Sequence, residues 1–407
     1  MPRRVVITSV GVVSSLGFSV DEIISRLKQK EIYFKRPSFD QDVVTCPVPS
    51  FDIKAFTGRF KNARYLNRGA QFCVASAMAA IKDAGFDEKP LSEAGLFVGV
   101  GPNLDISNEC PQTRSGKIDS NALKALWILR FVPNTAASII SALAGIHGES
   151  LTLGTACTAS LQAIGEAFRK IKDAYLDIAL AGGGDSRLSQ GGILAYRKAQ
   201  ALFSAKGDPE REYAPFDKNR NGFVPGEGGA FFLLEELEHA RNRGANANIL
   251  VEICGSGSSM DGHSMTAPEP YGKWPEAAVV AALNEAQRSP DEIDVVSAHG
   301  TGTFLNDEME ATLIDRLYTK NRPKVIALKS WIGHISAACG AVELAVLLGC
   351  LKEGYLPEIR NLKEACHGRV NFVRQETNDS LNTIIIENFG FGGQNSALVI
   401  RKWNKSQ

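Results

Sequence analysis

"SLTLGTACTASLQAIGEAFRKIKDAYLD", Ser150–Asp177, starts as a short apolar run, turns at Gly154, and continues as an amphipathic helix. Leu161, Ile164, Phe168, Ile171 and Tyr175 recur at helical spacing and define one apolar face. Cys157 falls in the turn. "KVIALKSWIGHISAACGAVELAVLLGCLKEGYLP", Lys324–Pro357, repeats the plan with His334 in its turn. The first carries "AC" before its helix and the second "AACGA". This likeness suggests a duplicated fold whose halves each bring a reactive group to the middle. Chance similarity of two strand–turn–helix units is the alternative.

Other apolar runs support the same reading. Val5–Val13, Leu96–Val100, Leu151–Leu153, Ile178–Ala181, Ala230–Leu234, Ile249–Ile253, Val295–Ala298, Val325–Leu328, Ile384–Glu387 and Ala397–Ile400 are short, and several precede helical patterns. Near-continuous apolar strands between helices are buried on both faces, which predicts a layered α/β protein. The chain has 407 residues, more than one core usually serves, so two domains or two fused halves are expected.

Composition narrows the function. Lys plus Arg and Asp plus Glu are 45 each, so the net charge is zero and no nucleic-acid partner is expected. Eight cysteines, at 46, 73, 110, 157, 254, 339, 350 and 366, form no C-x-x-C pair. That disfavours a structural zinc site and suits reduced thiols in a cytoplasm. "MPRRVVITSVGVVSSLG" has a basic start and an apolar run like a signal peptide, but its Val, Ile, Thr, Ser and Gly content reads as a first buried strand and turn. No stretch of eighteen uncharged apolar residues occurs, so no membrane span is expected.

The chemistry centres on Cys157. Near a helix start, unpaired N–H groups favour negative charge, which predicts a lowered thiol pKa. A buried structural cysteine is the plainer alternative. Among six histidines, His239 and His367 lie in charged stretches and read as solvated, His147 in a turn, and His263 in a loop near a site. His299 follows a strand pattern and precedes Gly-Thr-Gly-Thr, while His334 follows a strand and precedes a helix. Strand ends are where α/β proteins present side chains to a crevice. A thiol with two imidazoles suits thioester chemistry; a His/His/Cys metal site is the rival. Lys329 and Glu343 form a candidate buried pair, structural or catalytic. "ENFGFGGQN", Glu387–Asn395, lacks the residues of a phosphate loop and fits better as backbone N–H groups aimed at an oxyanion. Arg59, Lys61, Arg64 and Arg68 supply local positive charge, with Arg64 and Arg68 spaced to share one helix face; a solvated face is the alternative.

"GTACTAS", "YAPFDKNRNGFVPGEGGA", "AHGTGTFLND", "KSWIGH" and "NFGFGGQN" together, in this order and spacing, resemble the 3-oxoacyl-[acyl-carrier-protein] synthases, condensing enzymes of the thiolase superfamily. The resemblance runs from "RRVVITSVGVVSSLG" to "NSALVI". It implies a thiolase fold of duplicated halves in a five-layer α-β-α-β-α sandwich, with 1–245 carrying the nucleophile and 246–407 both histidines. It implies Cys157 as acyl acceptor, His299 and His334 as the catalytic pair, and Lys329 with Glu343 ordering the site. Phe391 and Cys157 would form the oxyanion hole, with the Phe391 ring as gate, and Thr301 and Thr303 would bind pantetheine. The four basic residues Arg59, Lys61, Arg64 and Arg68 would dock an acidic acyl carrier protein.

The implied reaction is a decarboxylating condensation of acyl-Cys157 with a malonyl-carrier thioester, without metal or redox cofactor, in a homodimer or in a heterodimer with a related subunit. Gln394 stands where the family leads one to expect threonine, "CTAS" varies the residues after the nucleophile, and Pro102 lies near the acyl pocket. "HGTGTFLND" looks closer to aromatic-polyketide and aryl-polyene enzymes than to a housekeeping elongation enzyme. These features bear on substrate rather than reaction. A non-catalytic chain-length partner and a coenzyme A-dependent thiolase-like acyltransferase are the alternatives; retention of Cys157 argues against the first, and His334 against the second.

Overall fold

β1, Val5–Val13, is buried along its length except for half-buried Val10, as a strand covered on both faces must be. It belongs to a computed structural model that describes residues 3–86, 91–106, 116–123, 125–205 and 207–404. Cys110 lies outside the described residues. Beside β1 in one ten-stranded ladder lie β2 (Gly95–Gly99), β3 (Ser150–Leu153), β4 (Ile178–Ser186), β5 (Glu227–Glu236), β6 (Val251–Met260), β7 (Val295–Ser297) and β8 (Lys324–Ile326). β9 (Tyr355–Leu356) and β10 (Thr377–Asn378) form a separate two-residue pair, and β11 (Thr383–Phe389) and β12 (Gln394–Lys402) complete the large sheet. Every one of the ten apolar runs coincides with a strand of that sheet.

The sheet order is β3-β2-β4-β5-β1-β6-β12-β11-β7-β8. In the first half β3, β2 and β4 are parallel, and β5 and β1 follow antiparallel. In the second half β8, β7 and β11 are parallel, and β12 and β6 follow antiparallel. The halves therefore share one topology, so the two similar segments are equivalent pieces of a duplicated plan and not a coincidence. Only Val5–Ile7 of β1 pair with Val251–Ile253 of β6 to join them.

Helices separate and cover the two half-sheets. We label α1 (Val20–Lys28), α2 (Arg68–Asp83), α3 (Thr135–Ala144), α4 (Ala159–Lys172), α5 (Gln190–Lys198), α6 (Lys273–Glu285), α7 (Phe304–Leu317) and α8 (Cys339–Glu353). α4 and α8 lie side by side and touch strands of both halves. Every residue of α8 from Cys339 to Leu351 is buried, as a helix in a central layer requires. α2 covers the outer face of the first half-sheet. α6 and α7 cover that of the second, through Val279, Leu283, Leu313 and Ile314. Five layers result, α-β-α-β-α.

Glycines set the spacing of the outer layers. A Cβ at Gly11 of β1 would sit 2.1 Å from the Ser76 carbonyl of α2, and one at Gly257 of β6 would sit 1.9 Å from the Ala278 carbonyl of α6. Equivalent strands thus use the same device to let a helix backbone approach. No helix among the described residues is long and apolar enough to cross a membrane.

Candidate active site

Equivalent turns carry or adjoin two of the candidate residues, Cys157 and His334. After β3 the chain forms a 3-10 turn, Ala156–Thr158, before α4; after β8 it forms Ser336–Ala338 before α8. Ala156 and Ser336 both take left-handed φ, 49° and 50°, a costly conformation for residues with a Cβ. The pairing makes Cys157 the equivalent of Ala337; Cys339, whose position in "AACGA" suggested the counterpart, instead begins α8. His334 sits between Gly333 (φ 68°) and this second turn. His299 follows β7 directly, and Phe391 lies in the tight turn between β11 and β12, where Gly392 and Gly393 supply φ of 87° and 79°.

Three chain segments therefore converge. A Cys157 sulfur and one ring nitrogen each of His299 and His334 all lie within 4.8 Å of one another. The two imidazoles stand edge to face, with centroids 5.5 Å apart. They border a cavity of about 480 Å³ that also reaches Thr301, Thr303 and Phe391. Thiols and imidazoles are also metal ligands, and this is the one such trio among the described residues. The donor set alone does not choose between metal binding and nucleophilic chemistry.

Hydrogen bonding assigns a protonation pattern. The Ser336 N–H donates to His334 Nδ1 at 2.9 Å, so the ring proton of neutral His334 belongs on Nε2. Phe223 packs on the same ring at 4.7 Å. The His299 backbone N–H donates to Glu310 Oε1 at 2.6 Å and the Gly300 N–H to Glu310 Oε2 at 2.8 Å, which pins the turn below the imidazole. Burial, reinforced by the Lys329 charge, lowers the pKa of His334 to about 3 and holds His299 well below its ordinary value. Both rings are thus neutral near pH 7.

Lys329 and Glu343 are fully buried and form an ion pair at 2.5 Å, with Asn388 Nδ2 donating to the other Glu343 oxygen at 2.9 Å. Burial favours neutral Lys329, but the Glu343 carboxylate outweighs it and keeps the ammonium charged.

Cys157 corrects an expectation. Burial pushes its thiol up to about 11, although Lys329 and the Phe391 backbone N–H both favour the thiolate. The helix start does not overcome desolvation, so the resting group is a thiol. The basic stretch needs a second correction. Arg64 lies in a separate 3-10 turn, Lys61–Tyr65, and Arg68 begins α2 after Leu66 and Asn67, so they share no helix face. Arg68 pairs with buried Glu227 at 2.8 Å and lies over Phe72 at 4.6 Å. Arg59, Lys61 and Arg64 are exposed. Nor are the two histidines read as solvated simply so: His239 contacts Glu235 at 2.8 Å and His367 lies 3.8 Å from Asp315.

Thr301 is buried and Thr303 half-buried, with their hydroxyls 2.9 Å apart at the cavity wall. Residues that sequence reasoning missed are Glu310, Asn388, Arg187 and Tyr196. Asn388 stands inside a motif already singled out and Glu310 three residues beyond another; Arg187 and Tyr196 reach the cavity through tertiary packing alone.

Comparison with known proteins gives this geometry its family. Residues 2–240 match the beta-ketoacyl synthase N-terminal domain and residues 250–363 the C-terminal domain. The chain is 31% identical to 3-oxoacyl-[acyl-carrier-protein] synthase 2 of Coxiella burnetii, covering 98% of this chain and 99% of that one. It is also 31% identical to a putative polyketide beta-ketoacyl synthase 1 of Streptomyces halstedii, covering 98% of both chains. A solved ishigamide ketosynthase/chain length factor superposes with a TM-score of 0.90 at 28% identity, over 99% of this chain and 100% of that one. A type II polyketide acyl-carrier protein in complex with its ketosynthase, bound to the hexaketide, gives 0.88 at 26%, over 99% and 100%. With a thiolase-type duplicated fold and both domain models matched, this chain belongs to the beta-ketoacyl synthase family, the acyltransferases that condense thioesters in fatty-acid and polyketide synthesis.

Proposed function

We propose that this chain joins an acyl group held on Cys157 to a malonyl group held on an acyl carrier protein, with release of carbon dioxide. The observation that carries it is the convergence of the Cys157 sulfur with two neutral imidazoles within 4.8 Å. The boundary between the nucleophile half and the histidine half is placed at 245/246.

In the first step the Cys157 sulfur attacks the carbonyl of an acyl-carrier thioester. Its proton passes through a neighbouring imidazole to the departing pantetheine sulfur, which the high thiol pKa makes necessary. The backbone N–H groups of Cys157 and Phe391 stabilise the oxyanion. The acyl-Cys forms and the acyl–pantetheine bond breaks.

In the second step a malonyl-carrier thioester enters along Thr301 and Thr303. Its carboxylate leaves as carbon dioxide, and the electron pair passes into an enolate. Neutral rings can donate N–H to that enolate oxygen: His334 through Nε2, with His299 beside it. The enolate carbon attacks the acyl-Cys carbonyl, the carbon–sulfur bond breaks, and the Cys157 thiolate that leaves takes a proton from water. The product is a 3-oxoacyl-carrier thioester two carbons longer. Lys329, Glu343 and Asn388 act as positioning residues that hold a fixed positive charge near both rings.

The substrates bring their phosphopantetheine arm with them, and the reaction as written uses no further cofactor. Arg59, Lys61 and Arg64 are the proposed docking charges for the carrier, with Arg68 relegated to the Glu227 pair. The partner is a second ketosynthase-like chain, either a copy of this one or a related subunit. The ketosynthase/chain length factor relative supports that arrangement.

The test uses acyl- and malonyl-carrier thioesters, following carbon dioxide and product mass. Wild type should give both. Cys157→Gln should lose condensation and keep or raise malonyl decarboxylation. Equal loss of both in that variant counts against the assigned roles.

A further inference from the structure

Beside Cys157 the mostly apolar cavity wall presents two polar side chains that an alkyl chain would leave unsatisfied. Arg187 and Tyr196 both border the cavity together with Ala156, Cys157 and Ser336. Neither is a free surface residue. The Arg187 side chain is 5% exposed and pairs with Asp185 at 2.9 Å, and it also donates to the Pro102 carbonyl. Tyr196 shares a 2.5 Å hydrogen bond with the Ser336 hydroxyl.

These groups are fixed to the turn that holds His334. Ser336 donates its N–H to His334, and the next residue, Ala337, donates its N–H to Asp185 Oδ2 at 3.1 Å. Phe223 packs edge-on to Tyr196 at 5.0 Å while contacting the His334 ring. The phenol and guanidinium are thus preorganised next to the reacting sulfur, which is the geometry of a recognition site.

A guanidinium has five N–H donors, and Pro102 and Asp185 account for two of them here. A methylene chain laid against this wall would cover polar groups without replacing their hydrogen bonds with water. An oxygen on the chain replaces them. Asp185 neutralises the Arg187 charge, so the wall suits a neutral oxygen better than a carboxylate. Sites built to hydrogen-bond a substrate discriminate strongly against the analogue that lacks the group.

We infer that the acyl group accepted by this chain carries an oxo or hydroxyl oxygen that hydrogen-bonds to Arg187 and Tyr196, which act as specificity residues. The inference rests on the acyl-Cys157 reading above. It selects an oxygen-bearing acyl thioester over the saturated one of equal length.

Transfer to the protein from hexanoyl-, 3-hydroxyhexanoyl- and 5-oxohexanoyl-carrier thioesters, followed by intact mass, tests it. One oxygen-bearing group should transfer at least about 10-fold faster than hexanoyl. Tyr196→Phe should narrow that ratio, and the charge-balanced double variant Asp185→Asn/Arg187→Gln should narrow it further. Wild-type hexanoyl transfer within about 10-fold of the faster oxygen-bearing group overturns the inference while leaving acyl-Cys157 intact. A ratio unchanged in both variants also overturns it. No transfer of any group instead defeats the acyl-Cys157 reading and this inference with it. The wild-type ratio decides even where a variant fails to fold.

Discussion

At Cys157, desolvation opposes a nearby ammonium and a backbone N–H, and desolvation wins, placing the thiol near 11. The sign is therefore fixed: the thiolate fraction is small at pH 7 and rises about tenfold per unit toward that value. Iodoacetamide labelling of Cys157, followed by peptide mass, should accelerate continuously from pH 7 to pH 10. A plateau below pH 8 would show a low-pKa thiol and contradict the burial argument. The buried Lys329–Glu343 pair gives a second prediction. Glu343→Gln strands a buried ammonium, and urea unfolding should show a loss of about 3–5 kcal/mol; a change below about 1 kcal/mol would mean the pair is not desolvated in solution. At this scale the candidate residues Cys157, His299, His334 and Lys329 were legible because each sits in a short motif between a strand and the next long helix. The thiol's high pKa was not, because helix position is local whereas burial depends on segments 140 to 230 residues away. Arg187 and Tyr196 were hidden for the same reason.

Strands and helices were legible to different degrees. All ten apolar runs became strands because a fully covered strand must be apolar on both faces. Their ends were less visible: β6 runs on to Met260 through two glycines and three serines, residues that hydropathy assigns to a loop. Those small residues have a packing reason, since Gly257 lies against the α6 backbone. Gly257→Ala should therefore cost about 1–3 kcal/mol in thermal or urea unfolding. Gly368→Ala, where nothing lies within 4 Å of the added Cβ, should stay within about 0.5 kcal/mol. Equal effects at both sites would remove the close-approach account of the outer layers. The β9–β10 pair was missed because two-residue strands carry no periodicity.

The duplicated topology explains why the site lies at the centre of the molecule: equivalent turns, each at the start of a central helix, face one another between the half-sheets. The duplication was only suggested by two similar segments, because the equivalence rests on strand order and not on residue identity. The sheet's two ends differ, however. β8 is covered by Asn371–Val373 through bonds to Val325, whereas among the described residues β3 pairs on one side only and leaves Leu151 42% exposed. A bare apolar edge of this kind is a pairing surface. Wild-type protein should sediment as a dimer, or do so when mixed with a related subunit, and Leu151→Lys should shift it toward monomer. An unchanged mass distribution would place the interface elsewhere. The most direct test of the central claim is the mass of the protein after incubation with an acyl-carrier thioester. One acyl group should appear, map to the Cys157 peptide, disappear in Cys157→Ala, and leave as a product two carbons longer when malonyl-carrier is added. An adduct on another residue, or none with any acyl group, would contradict it.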